Sequence, residues 1–119
     1  MLIAVATLLA TVSANAEPDQ ATQAILENLM AATVSNNYDA FIAECDAPMK
    51  AALSKRMLQR VSKELEPRAK QGYDAKCLGE LSQHGYEVHL WRLSFKDGGD
   101  DVLATLGVKD GKAGKFLLQ

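Results

Sequence analysis

The sequence predicts an α+β domain in which three N-terminal helices pack on a curved, four-stranded antiparallel sheet. Three observations carry this. Apolar residues recur at helical spacing up to Gln71. At Gly72 the period shortens to two and stays there to the C-terminus. Short turn signals of the Asp-Gly type then separate the strands, so these pair as a meander and not through helical crossovers.

The elements follow in order. Pro18 and Asp19 suit a helix start, proline by its fixed φ and aspartate by its charge. Ala21, Ala24, Ile25, Leu29 and Ala32 recur at helical spacing, with Leu26, Met30 and Val34 widening the stripe, so the first helix is predicted over Pro18–Ser35. Asn36-Asn37 ends it. A short second helix is expected from Tyr38 to about Cys45, with Asp39 as its helix-start acid and Phe41 and Ile42 facing inward. Asp46-Ala47-Pro48 reads as a turn or irregular link. A third helix is expected from Met49 or Lys50 to Gln71, with Leu53, Met57, Leu58, Val61 and Leu65 as its stripe. Pro67 is expected to kink or end it near Leu65.

Beyond Gly72, Tyr73, Ala75, Cys77, Gly79 and Leu81 alternate with more polar neighbours. Gln83-His84-Gly85 is a tight turn, and Tyr86–Lys96, rich in aromatic and branched residues, is the strongest strand. Lys96 to Asp100 forms a loop, Val102–Lys109 a third strand, and Lys112–Gln119 pairs back across Asp110-Gly111. On the central strand Val88 and Leu90 share one face, while Trp91, Leu93 and Phe95 share the other. With apolar residues on both faces, helices cover one. A symmetric second copy is the expected cover for the other.

The 119 residues suit one domain, and a net charge of −2 argues against the basic face that nucleic acids require. Lys55, Arg56, Arg60, Lys63 and Arg68 make one helix locally basic, which reads as a solvated face. Leu2 to Val12 are almost wholly apolar, and Ala14-Asn15-Ala16 places small residues before Glu17. This is the layout of a secretory signal cleaved after Ala16, too short to span a bilayer. The expected organisation is therefore a signal over residues 1–16 and a secreted or periplasmic domain over 17–119, with no stable membrane span after cleavage.

Cys45 and Cys77 are an even pair, and in an oxidising compartment they are candidates for one disulfide, worth about 3–4 kcal/mol in the chain-entropy model. The alternative is two separate buried thiols.

The helix carrying Ile25, Leu26 and Leu29, the segment NNYDAFIAECDAPMKAAL with its Asn37-Tyr38-Asp39-Ala40-Phe41 turn, and the ending LGVKDGKAGKFLL together resemble the NTF2-like superfamily, a cystatin-like α+β cone. The likeness covers most of the mature chain and is greatest to small exported members of unknown function, with one strand fewer than many relatives. It implies a cone whose mouth or sheet face binds something. The superfamily's enzymes set acids and tyrosines inside the cone, but no residue of this chain matches those catalytic acids.

Candidate pocket or interface residues are Tyr38, Tyr73, Tyr86, His89, Trp91 and Arg92. His89 and Trp91 lie two apart and share a strand face, where a half-buried imidazole could act as acid or base or simply pack. Arg92 could bind an anion, or pair with Glu87 or Glu80. Tyrosine hydroxyls could line a pocket or a rim. His84 sits in a turn. The two histidines suggest no metal site, and no cofactor is expected. No Walker, GxGxxG, GxSxG or HExxH pattern occurs. Three functions are compatible with these features: an exported binding or assembly module taking a small apolar ligand or a protein, an isomerase- or cyclase-type enzyme using an acid or His89, and a structural accessory of the cell envelope.

Overall fold

The computed structural model describes residues 18–119; the secretory-signal expectation for residues 1–16 lies outside them. Among the described residues four helices precede four strands: α1 (Gln20–Val34), α2 (Tyr38–Ala43), α3 (Ala47–Ala52), α4 (Lys55–Ala69), β1 (Tyr73–Gln83), β2 (Tyr86–Phe95), β3 (Val102–Lys109) and β4 (Lys112–Leu118).

Each helix starts where a side chain caps it. Asp19 Oδ1 accepts from the Thr22 amide at 2.7 Å, Asn37 Oδ1 from Ala40, Asp46 Oδ1 from Met49, and Ser54 Oγ from Met57. Asn36 adopts φ 54°, and the amides of Asn36 and Asn37 return to the carbonyls of Thr33 and Ala32. This closes α1 in a Schellman arrangement. The two asparagines thus divide the work, Asn36 ending α1 and Asn37 capping α2. Asp39 stands in the first turn of α2 and is not its cap.

Two expectations are corrected in this half. The single third helix is two helices, because Leu53 turns extended (ψ 131°) and Ser54 offers a new cap. Pro67 does not stop α4, which runs on to Ala69. Proline's φ is helical, and here its missing donor would have served only the exposed Lys63 in the last turns, where water can take over.

The sheet is an open antiparallel meander of order β1-β2-β3-β4. His84 and Gly85 (φ 53° and 81°) and Asp110 and Gly111 (52° and 75°) make the two tight turns, with positive φ at both central positions, as the strand twist favours. Leu78 is an extra residue between the pairs Cys77↔Trp91 and Gly79↔Leu90. This bulge reverses the face of everything after it. The even alternation read along β1 therefore holds only to Cys77, and Gly79 and Leu81 stand on the face opposite Tyr73, Ala75 and Cys77.

The helices cover the face bearing Trp91, Leu93, Phe95, Ala104 and Leu106, which pack with Leu26, Leu29, Met30, Leu58 and Leu65 into one core. Leu29, Leu93 and Leu106 are fully enclosed. The opposite face carries Val88, Leu90 and Arg92, and Val88 is buried there without joining the helix-side core. The outer edge of β4 is covered by the chain between α2 and α3. Cys45 forms a parallel bridge with Ala113, flanked by the Asp46 amide to Ala113 carbonyl and Ala113 amide to Glu44 carbonyl bonds, both 2.8 Å.

Candidate functional site

The most apolar of the described concavities follows from how α4 is buried. Its stripe has more apolar residues than the core can cover. Leu58 and Leu65 enter the core, whereas Met57 and Val61 remain 49% and 41% exposed. They overhang a groove of about 500 Å³ between α4 and the ends of β3 and β4. Thr33, Phe41, Met49 and Leu53 close its inner end, and Val102, Phe116 and Leu118 form the sheet-side wall. Its charged groups are Glu64 and Arg68.

Arg68 is already committed. Its Nε donates to Asp97 Oδ2 at 2.7 Å, an Nη reaches the Asp100 carbonyl, and the guanidinium lies 4.3 Å from the Phe95 ring centre. That pairing holds the Asp97 carboxyl below the usual carboxylate range. Arg68 therefore ties the end of α4 to the β2–β3 loop instead of offering a free cation to a ligand. The Thr33 hydroxyl donates to the Leu29 carbonyl at 2.7 Å. What remains is an apolar cleft with a charged rim, suited to hydrocarbon more than to acid–base chemistry.

The candidates named from sequence do not converge on this groove. Tyr38 donates its hydroxyl to the Leu53 carbonyl at 3.0 Å and lies 5.8 Å below Lys55 Nζ, bracing the α3–α4 junction. Tyr73 packs 5.5 Å from Phe95, ring centre to ring centre, at the other side of the core, where burial pushes its phenol pKa up. Trp91 is buried on the helix-covered face. It therefore cannot serve as an exposed interface residue. Arg92 is exposed on the outer face, opposite Lys76 and Leu103. Its expected partners Glu80 and Glu87 lie on the helix-side face, which rules the pairing out. Tyr86 crosses the outer face of β3 and β4, passing over Gly114 to reach Asp46.

His89 is 3% exposed and its ring centre is 5.7 Å from that of Trp91. Its Nδ1 is 3.6 Å from Glu80 Oε2, too far for a hydrogen bond, and its enclosed Nε2 has no partner among the described residues. Glu80, Glu87 and His89 each bring one potential metal-ligand atom within 4.8 Å of the others. Sequence reasoning missed this group. The signal was available, because pairing Gln83 with Tyr86 across the His84-Gly85 turn sets Glu80 opposite His89, two residues from Glu87.

Cys45 and Cys77 are both free thiols. Cys45 sits outside β4 and Cys77 is on β1, the opposite edge strand. Strands spaced about 4.8 Å apart put three intervals between these edges, whereas a disulfide needs Cα atoms within about 7 Å. The disulfide expectation is therefore replaced by two separate thiols. Burial pushes the Cys45 thiol up to about 11.

Fold and cleft together define a class: a small α+β domain with an open antiparallel meander and an apolar groove beneath its last helix. No protein-family model matches the chain, and no curated protein is significantly similar to it. Among the described residues no helix is long and apolar enough to cross a membrane.

Proposed function

We propose that this chain is an exported domain of the NTF2-like superfamily that works by binding, taking a small apolar ligand into the groove between α4 and β4. The observation that carries the reading is the α4 stripe, whose Met57 and Val61 stay open over a wall of Phe41, Leu53, Phe116 and Leu118. Flexible Met side chains fit varied apolar surfaces. The element order, helices first and then an antiparallel meander, is compatible with the superfamily, and the apolar run at Leu2–Val12 supports export. An isomerase- or cyclase-type role for His89 is less well supported, because His89, on the helix-side face of β2 opposite Glu80, does not line the groove.

The test is displacement of an apolar naphthylamine dye by a long-chain fatty acid. Saturable binding that Val61→Glu removes, with an unchanged far-UV spectrum, supports the reading. Absence of saturable binding, or binding that survives both Val61→Glu and Met57→Glu, overturns it.

A second reading concerns assembly and rests on the outer sheet face, where Leu81, Val88, Leu90, Leu103 and Leu117 form an apolar stripe across all four strands. Leu81 and Leu117 are 40% and 46% exposed. A homodimer joined face to face through this stripe would cover them. The same stripe could seat a protein partner in an envelope accessory.

A further inference from the structure

We propose that Glu80, Glu87 and His89 form a binding site for a first-row divalent transition-metal cation such as Zn2+, at the end of the sheet near the N-terminus of α1. The first observation is the buried imidazole. His89 is almost wholly enclosed, its Nε2 has no hydrogen-bond partner among the described residues, and its Nδ1 faces Glu80 Oε2 at 3.6 Å, beyond hydrogen-bond reach. A buried imidazole this poorly partnered calls for a ligand, and a metal ion held between Nδ1 and the carboxylates supplies one on the Nδ1 side.

The second observation is spacing. Nδ1 and Glu80 Oε2 stand 3.6 Å apart. Two atoms bound to one zinc at about 2.1 Å each, at a tetrahedral angle, lie about 3.4 Å apart. The gap is thus too wide for a hydrogen bond and close to the edge of a metal polyhedron. Glu87 completes the group, with one ligand atom from each residue inside 4.8 Å of the others.

The third is how the chain builds the group. Glu87 and His89 share a face of β2 because they are two residues apart. Glu80 joins them because the two-residue His84-Gly85 turn pairs Gln83 with Tyr86, and the unbroken register from there sets Glu80 directly opposite His89 on the helix side. One imidazole with two carboxylates suits zinc, manganese or iron, while the nitrogen donor disfavours calcium and magnesium. Three protein ligands leave a fourth position for water.

The experiment uses tag-free, chelator-stripped protein titrated with Co2+, followed by visible absorption, and with Zn2+ by calorimetry. One ion per chain is expected, with Mg2+ failing to compete. Glu80→Gln and Glu87→Gln, both at exposed positions and neither needed for the core, should each weaken binding about ten-fold or more with an unchanged circular dichroism spectrum. His89→Asn should remove the cobalt band attributable to nitrogen ligation. If it fails to fold, loss of the His89 ring resonance in the Co2+-loaded wild type gives the same information. No stoichiometric binding, or equal affinity in the Glu80→Gln/Glu87→Gln double variant, overturns the proposal. Either result leaves the groove reading untouched, since the groove shares none of these residues.

Discussion

Tyr86 Oη donates a 2.6 Å hydrogen bond to Asp46 Oδ2, joining the start of the central strand β2 to the N-cap of α3, forty residues earlier in the chain. The same carboxylate caps α3 through its other oxygen, and the Asp46 amide is bonded to β4. One residue thus anchors the covering segment to the sheet edge, the helix and the phenol. Because the phenol donates to the charged carboxylate, the Asp46 pKa is held below 3.8 and that of Tyr86 above 10.0.

The pair therefore contributes stability within a defined pH window. The Asp46 part is present above pH 3.8, the unfolded value, and is lost as pH falls through the lower folded value. The Tyr86 part is present below pH 10.0 and is lost as pH rises through the higher folded value. Tyr86→Phe should lower the melting temperature at pH 7, and its difference from wild type should shrink on acidification below pH 3.8. A constant difference across a thermal-melt series would remove the hydrogen bond from the explanation.

Gly114 lies directly beneath the Tyr86 ring, where any Cβ would collide with it. Gly114→Ala should destabilise the wild type but cost little in a Tyr86→Ala background. A double-mutant cycle in urea measures the coupling, and additive effects would refute the packing account.

The two thiols should react differently. Cys45 is buried with its pKa raised to about 11, whereas Cys77 is half-buried. Native protein should react at one thiol quickly, and denatured protein at two. Peptide mass mapping should place the fast label on Cys77, and the intact mass should not change on reduction.

The two faces of β2 should respond differently to charge. Trp91→Glu puts an unpaired carboxylate into the core and should prevent folding, while Leu93→Ala should cost about 2–5 kcal/mol. Leu90→Glu lies on the outer face and should leave the fold intact. If the protein pairs through that face, light scattering should show its mass halved relative to wild type. A wild type that is already monomeric, or a variant of unchanged dimeric mass, would reject the outer-face interface.

Most of the sheet was legible because its signals are local. The predicted strands Tyr86–Lys96 and Val102–Lys109 differ from the observed ones by at most one residue, since alternation and the Asp110-Gly111 turn act over a few neighbours. The helix starts were equally local at Asp19. The break at Leu53-Ser54 was missed because an apolar residue inside a helical stripe hides a change of backbone, even when the following serine is a good cap. The bulge at Leu78 was missed for a related reason: nothing in the alternation of β1 marks the extra residue, and only the partner strand exposes it.

The candidate site was less legible than the fold. The stripe of α4 was visible as apolar spacing, but whether Met57 and Val61 are covered depends on where β4 ends, and that is set by packing between distant elements. Tyr86 read as a rim residue, and its actual reach to Asp46 depends on two strands lying between them.

By itself, the sequence determined the α+β class, the change of period at Gly72, the two glycine turns and the order of the strands, because each rests on backbone preferences and side-chain period within a few residues. Only the tertiary structure decided which face of β2 is covered, that Cys45 and Cys77 stand at opposite edges, and that α4 leaves an apolar groove. Those facts depend on register and on contacts between residues far apart in the chain, for which local pattern carries no information.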